Sequence, residues 1–347
     1  TTSGSGAVTT LTAGKDIVQQ TGSRVSSDAL RLQAGGDATL ETATNTVGTL
    51  AASTGGKLSY VDADALRVGT VTTTSGPASL LGSTVGVSAA GATTLQTLDG
   101  TTGSLTLADS VTTSGSGAVT TLTAGKDIVQ GAGSRVSSDA LRLQAGGDAT
   151  LETATNTVGT LAAEVATGDL RFVNAQALAI GSVTTSTAAA AGTTDGARTA
   201  SAGRHISLQS LAGDISINQQ LRTTADAGGT DTATLSAAGG ITQSSSAGAA
   251  LSASQLRVLT AAGGASLANT GNVVGAVAAD VTGGSFALAS NRALTVGSVT
   301  TATPLLAGTS TGIMTRGQGI SVSTSGAGSD VRLDGDVLKT AGGQCAG

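Results

Sequence analysis

The sequence predicts an all-β fold in which short strands stack as a parallel β-helix, a β-solenoid with about 20 residues per coil. Three features indicate this class: a long internal duplication, a shorter repeat within it, and apolar residues that alternate with polar ones. A solenoid stacks like on like, whereas a β-sandwich or an antiparallel barrel has no reason to repeat its sequence in every coil. We therefore predict stacked coils rather than a sandwich.

The long repeat covers most of the chain. Residues 1–52 return as residues 112–163, and the two copies differ only where Gln20-Thr21 becomes Gly131-Ala132. A more diverged third copy follows, in which the segment Asn45–Ala52 returns as Asn272–Ala279. We predict a single continuous solenoid over residues 1–347, with long repeats at approximately 1–111, 112–227 and 228–347.

A shorter repeat sets the length of one coil. It reads Ala-Gly, then one or two small or charged residues, then alternating apolar residues. It begins at Ala13 and again at Ala34, and the copies at Ala124 and Ala145 keep the same spacing. This spacing predicts about 20 residues per coil, which is within the range of solenoid repeats.

The alternation of apolar and polar residues predicts which side chains face the core. In Leu30-Arg31-Leu32 and Leu256-Arg257-Val258, a strand would place the aliphatic side chains inward and the arginines outward. Abundant Thr favours strand, and Gly interrupts every segment that could otherwise form a helix. By this pattern the equivalent pairs Leu30/Leu141, Leu40/Leu151 and Leu50/Leu161 should all be buried.

The three aromatic residues fit the same repeat. Tyr60 and Phe172 are equivalent, and Phe286 falls two residues earlier in the third copy, on the same face. So few aromatics predict a thin core filled by Val, Leu, Ile and Ala. The two prolines, Pro77 and Pro304, occupy matching segments that we expect to be loops, where no ladder hydrogen bond is needed.

The composition argues against several other classes of protein. Hydrophobic residues make up 39% of the chain and charged residues only 11%, the reverse of a disordered sequence. A net charge of −5 and the scarcity of aromatics argue against binding nucleic acid. No run of about 18 apolar residues is present, so the sequence predicts no membrane span.

Residues able to carry chemistry are few and scattered. The single histidine, His205, takes the turn position that Asp16 holds elsewhere, and we expect no chemistry from it. Asp37 and Asp148 follow Gly-Gly steps and are interpreted as turn residues rather than calcium ligands. Cys345, the only cysteine, is either an incidental thiol or the partner in an intermolecular disulfide. We predict no catalytic, cofactor-binding or metal-binding residues, and no enzyme.

Three motifs point to a family. The segments Leu30–Leu40, Asn45–Ala52 and Leu66–Val71, with their later copies, resemble the repeat region of filamentous-haemagglutinin-like exoproteins of Gram-negative bacteria. The resemblance implies a right-handed parallel β-helix. It also implies two-partner secretion through an outer-membrane translocator, and a location in the medium or at the bacterial surface. Roles in adhesion to a host or neighbouring cell, in biofilm or in cell–cell contact follow from the same resemblance.

The leading functional hypothesis is a structural and adhesive fibre segment of a large secreted surface protein, without catalysis. A second hypothesis is a ligand-binding solenoid for glycan or ice, which regular Thr-x-Thr ranks on one flat face would indicate. A third is a carbohydrate-active β-helix enzyme, which would need a carboxylate cluster in one groove. Because the first and last coils of a solenoid carry unpaired backbone groups, we also expect end-to-end self-association.

Overall fold

The computed structural model describes residues 6–224, 229–316, 318–326 and 328–340, and the described residues form strands and three one-turn 3₁₀ helices. The first strands are β1 Val8–Ala13, β2 Ile17–Val18, β3 Ser26–Ala34, β4 Ala38–Leu40, β5 Thr46–Thr54, β6 Leu58–Asp62, β7 Leu66–Val68, β8 Thr70–Thr73, β9 Gly82–Val85, β10 Val87–Ala89, β11 Thr93–Thr97, β12 Leu105–Leu107 and β13 Val111–Thr113. They are followed by β14 Val119–Ala124, β15 Ile128–Gln130, β16 Val136–Ala145, β17 Ala149–Leu151, β18 Thr157–Val165, β19 Leu170–Asn174, β20 Leu178–Ile180, β21 Ser182–Thr185, β22 Gly192–Asp195, β23 Ala197–Thr199, β24 Ile206–Ser210, β25 Ile215–Ile217 and β26 Leu221–Arg222. The last strands are β27 Thr232–Ala237, β28 Ile241–Gln243, β29 Leu251–Thr260, β30 Ala265–Leu267, β31 Val273–Val281, β32 Phe286–Ser290, β33 Leu294–Val296, β34 Ser298–Thr301, β35 Gly308–Thr311, β36 Ile313–Arg316, β37 Ile320–Thr324, β38 Val331–Leu333 and β39 Val337–Thr340. The 3₁₀ helices are η1 Ala78–Leu80, η2 Ala188–Ala190 and η3 Ala247–Ala249.

The chain divides into two compact units. Unit 1 contains residues 1–159 and 183–194, and unit 2 contains residues 160–182 and 195–347. These bounds do not coincide with the long sequence repeats, so the single continuous solenoid and its three repeat ranges stay predictions.

In unit 1, each strand of the coil pairs in parallel with strands of neighbouring coils. Val8 of β1 lies opposite Ala29 of β3, and Ala29 lies opposite Thr49 of β5, so one coil takes about 20 residues. On another side, β6 pairs with β11 and β11 with β14 in the same parallel fashion. The hydrogen bonds close into coils, and the predicted parallel β-helix is confirmed.

Unit 2 repeats this arrangement. Along one side, Leu170, Ile206, Ala233, Leu256 and Val277 lie opposite one another in successive parallel strands. The ladder joins strands one coil apart, as in unit 1, and the handedness of the coil stays a prediction.

The core is the thin aliphatic one that the sequence indicated. The leucines of the three pairs predicted to be equivalent are at most 1% exposed: Leu30, Leu141, Leu40, Leu151, Leu50 and Leu161. The three aromatic side chains are all fully buried. The alternating pattern therefore identified the inward-facing residues correctly.

Antiparallel hairpins interrupt the parallel coils, two of them at the segments around Pro77 and Pro304 that we expected to be loops. We call them straps 1, 2 and 3: residues 70–85, 183–194 and 298–311. In straps 1 and 3 the two strands pair antiparallel, β8 with β9 and β34 with β35. Pro77 immediately precedes η1 at the tip of strap 1, and Pro304 lies between the strands of strap 3. Both prolines thus sit in turns, as predicted, but inside ordered hairpins.

Each strap folds back along the outside of the coils. Strand β8 contacts β5, β3 and β1, which belong to three successive coils, and β34 contacts β31, β29 and β27 in the same way. A glycine makes the return from strap 1 into the coil: Gly86 has φ +63, and a Cβ there would lie 2.3 Å from the Ser110 carbonyl oxygen. No residue with a Cβ fits this position without a shift of the backbone.

Straps 1 and 2 lie on neighbouring sides of unit 1. Strap 1 covers the side formed by β1, β3 and β5. Strap 2 covers β14 and β16, which continue the column of β6 and β11. Since β6 follows β5 around the coil, the second strap is displaced by one side from the first.

Candidate functional site

An arginine pins each strap to the coils beneath it. Arg31 donates from Nε to Thr84 Oγ1 at 2.8 Å and from Nη1 to the carbonyl oxygen of Leu80 at 2.7 Å. The side chain is only 5% exposed, so these charge-assisted hydrogen bonds are formed away from water. The guanidinium therefore holds both the returning strand and the tip of strap 1.

The same geometry recurs under the other two straps. Arg142 donates to Thr194 Oγ1 at 2.8 Å and to the Ala190 carbonyl oxygen at 2.6 Å. Arg257 donates to Ser310 Oγ at 2.8 Å and to the Leu306 carbonyl oxygen at 2.7 Å. Burial lowers the pKa of Arg257, and the Asp280 carboxylate opposes this shift.

Threonine pairs extend the contact toward preceding coils. The hydroxyl of Thr185 in strap 2 bonds to that of Thr121, and the strap 3 hydroxyls of Thr301 and Thr303 bond to Thr234 and Ser207. These coil hydroxyls are at most 1% exposed, because the straps cover them. The outward side of the coil is thus buried by a second layer of chain.

This second layer covers two arginines that the sequence placed on the outside of the coils. Arg31 and Arg257 do point away from the core, as the alternation predicted, but they are buried beneath straps and not exposed. The alternating pattern distinguishes core from outside, and it carries no information about a hairpin inserted some 40 to 50 residues later. The recurrence of Arg at the same position in all three copies was the one available signal.

Aspartates at the coil corners are structural. Asp16 Oδ1 accepts a hydrogen bond from the backbone N–H of Asp37 at 2.9 Å, and Asp37 Oδ1 accepts one from Lys57 at 2.7 Å. The N–H of Asp148 bonds to Asp127 Oδ1 at 2.9 Å. Asp16, Asp37 and Asp127 thus each reach the next coil through a carboxylate oxygen. Asp37 and Asp148 are therefore turn residues that link coils.

His205 occupies such a corner too. Its backbone N–H bonds to Asp169 Oδ1 at 2.9 Å, and its Nδ1 accepts a hydrogen bond from the Thr232 N–H at 3.1 Å. The imidazole thus takes the linking role that the corner aspartates have, as its alignment with Asp16 suggested. It is part-buried and bonded, so its removal should cost about 1 kcal/mol, more than for a free surface side chain.

A pair of side-chain amides fills another corner of the coil. Asn45 is fully buried, accepts from Gln19 Nε2 at 2.7 Å and donates to Gln19 Oε1 at 3.0 Å. It also accepts from the backbone N–H of Val25 at 2.9 Å. Matching pairs join Asn156 with Gln130 and Asn272 with Gln243. The side-chain amide of the asparagine that opens the Asn-x-Val-Gly motif therefore makes the same corner hydrogen bonds in all three copies.

One buried carboxyl differs between the copies. Asp62 is fully buried and accepts hydrogen bonds from the Tyr60 hydroxyl at 2.8 Å and the Val47 N–H at 2.9 Å. Burial raises the pKa of Asp62 to about 6, although these hydrogen bonds lower it in part. The second copy has Phe172 and Asn174 instead, so the ionisable pair is specific to the first copy.

The described residues hold no group of three or more His, Cys, Asp or Glu side chains that could bind a metal ion. Among them there is also no helix long and apolar enough to cross a bilayer. Cys345 lies outside the described residues, so both readings of it stay open. The absence of catalysis and of a cofactor stays a prediction.

The fold and the strap sites together define the class of protein, a parallel β-helix reinforced by hairpins on its outer sides. No protein-family model matches the sequence, and searches of curated proteins and of solved structures return no match.

Proposed function

We propose that this chain is a load-bearing, adhesive fibre segment of a large secreted bacterial surface protein, and that it has no catalytic activity. The observation that carries the proposal is the set of arginine-pinned straps. Each strap crosses several successive coils on the outside and bonds to at least two of them. Such cross-links resist the separation of coils along the stacking direction, which is the load that a fibre bears.

The proposal includes a location and partners. Export through an outer-membrane translocator by two-partner secretion, and contact with a host or neighbouring cell, are supported by the resemblance of Leu30–Leu40, Asn45–Ala52 and Leu66–Val71 to filamentous-haemagglutinin-like repeats. Adhesion, biofilm formation and cell–cell contact are the corresponding activities.

An ice-binding role is less well supported. The outer faces of the straps do carry hydroxyl pairs, such as Thr72 with Ser83 and Thr184 with Thr193. In unit 1, however, straps 1 and 2 lie on neighbouring sides, so their hydroxyls do not form one flat rank. Ice recognition needs many such ranks in one plane.

The test uses the bacterium that produces the protein. An in-frame deletion of residues 52–162 removes a whole repeat block and should reduce cell adhesion while leaving surface display intact, as measured by labelling of intact cells. Replacement of Arg31, Arg142 and Arg257 by Met in the full-length protein should reduce adhesion under shear flow more than static adhesion. Unchanged adhesion of both strains in both conditions would contradict the proposal.

A further inference from the structure

A groove on unit 2 contains a carboxylate oxygen without a partner. The groove has a volume of about 370 Å³ and is lined by Gln209, Ser236, Leu259 and Asp280, among others. Asp280 Oδ1 is buried and has no hydrogen-bond partner among the residues that the structure describes. A buried carboxylate oxygen left unbonded costs free energy, so a missing donor is expected at this position.

The preceding copy of the repeat shows what that donor is. Glu164 aligns with Asp280, and its Oε1 binds Nη2 of Arg198 at 2.6 Å. Arg198 lies directly opposite Glu164 in the next coil. Met314 lies directly opposite Asp280 in the same way. The third copy therefore has the acid without the arginine that pairs with its counterpart in the preceding copy.

The surroundings of Asp280 also differ from those of Glu164. Leu259, adjacent to Asp280 in the ladder, replaces Gln144 of the preceding copy, and Leu211 at the rim is 41% exposed. Apolar side chains beside a carboxylate match a cation on an aliphatic stem. Arg257 interacts electrostatically with Asp280, but its guanidinium donates hydrogen bonds to oxygens of strap 3, and Asp280 Oδ1 receives none from the described residues.

We propose that this groove binds a guanidinium group from outside the chain, with Asp280 as its acceptor and Leu259 beside its aliphatic stem. The source is either the arginine side chain of a partner protein or a small free guanidine. The inference does not rest on the proposed fibre function, since it uses only the local geometry of unit 2.

The test is a titration of the full chain, followed by amide NMR, with agmatine and separately with N-acetylarginine methylamide. We expect saturable shifts centred on Asp280 and a dissociation constant on the order of 1 mM at low salt, weakening as salt is added. Equal binding of both probes indicates recognition of guanidinium alone. Preference for the amide indicates an arginine side chain of a protein.

Two variants separate specific binding from general attraction. Asp280→Asn should weaken binding at least tenfold, because the charged acceptor is lost. Met314→Arg should abolish binding by supplying the guanidinium from within the chain, as Arg198 does for Glu164. The matched control is Glu164→Gln, which breaks the native ion pair and should leave binding at Asp280 unchanged. The proposal is overturned if neither probe gives saturable shifts, or if Asp280→Asn and Met314→Arg both bind like the wild type.

Discussion

At the scale of single residues, polar side chains at the corners of the coils act as links between neighbouring coils. Corner aspartates, His205 and the Asn–Gln amide pairs each accept or donate across one coil step. The aspartate links and the amide pairs recur between copies, so a replacement in one copy leaves an internal reference in another. Asp62 and Asn174 are equivalent positions at which the first two copies differ.

Asp62 should make the stability of the protein depend on pH. Its folded-state pKa of about 6 lies above the ordinary value of 3.8, so the folded state binds this proton more tightly than the unfolded state. The contribution to the free energy of unfolding is therefore full below about pH 4 and lost as the pH rises through about 6. The loss is about 3 kcal/mol from a shift of two units, and urea denaturation between pH 3.5 and 8 would measure it.

Asp62→Asn should flatten that pH profile, because the group that titrates is gone. Asn174→Asp, at the equivalent site of the second copy, should introduce a dependence of the same sign. If the profile of Asp62→Asn matches that of the wild type, then another group controls the pH response.

At the scale of elements, the stability of each strap depends on the hydrogen bonds that its arginine donates. Arg142→Met keeps the length and apolar stem of the side chain but leaves the Ala190 carbonyl and Thr194 without their charged donor. We expect a local loss of about 3 kcal/mol, with roughly 100-fold faster amide exchange in residues 183–194. Exchange in the coil strands should change little, because the parallel ladder is untouched.

Arg135→Met is the matched control, since Arg135 is exposed in the same unit. It should leave exchange in strap 2 as in the wild type. If the amides of strap 2 in Arg142→Met exchange as slowly as in the wild type, then the threonine pairs alone hold the hairpin.

The strands and the straps also differ in how far the sequence predicts them. The period-two pattern identified Leu30, Leu141 and their equivalents as core residues, because alternation follows directly from the geometry of a strand. Straps 1 and 3 were interpreted as loops because they contain Pro77 and Pro304, and strap 2 is rich in Ala and Thr, a composition that does not indicate a hairpin. Contacts such as Arg31 with Thr84 join residues far apart in the chain, and no local pattern encodes them. The groove at Asp280 was missed for the same reason.

At the scale of the whole molecule, the strap fixes how the repeat can change length. The arginine that binds each strap lies in the coil before the one from which the strap emerges. The number of residues between Arg31 and strap 1 is therefore fixed. Deletion of residues 32–51 would preserve the parallel ladder, since Leu32 and Ala52 are opposite each other. It would, however, move Arg31 one coil toward the strap root and out of reach of its acceptors.

We therefore expect that deletion to release strap 1, seen as fast amide exchange in residues 70–85. Deletion of residues 52–162 joins equivalent positions of two copies and should leave the remaining straps protected, with Arg31 taking the place of Arg142. Protection of strap 1 after the 20-residue deletion would show that the register is not needed.

The displacement of strap 2 by one side relative to strap 1 has a consequence for contact with other surfaces. A block of this kind that is copied again presents its hairpin at a new azimuth around the coil. A filament that grew by such copying would carry hairpins on every side around its axis. A cell or receptor approaching from any direction would then meet the same kind of hairpin, whatever the rotation of the filament about its own axis.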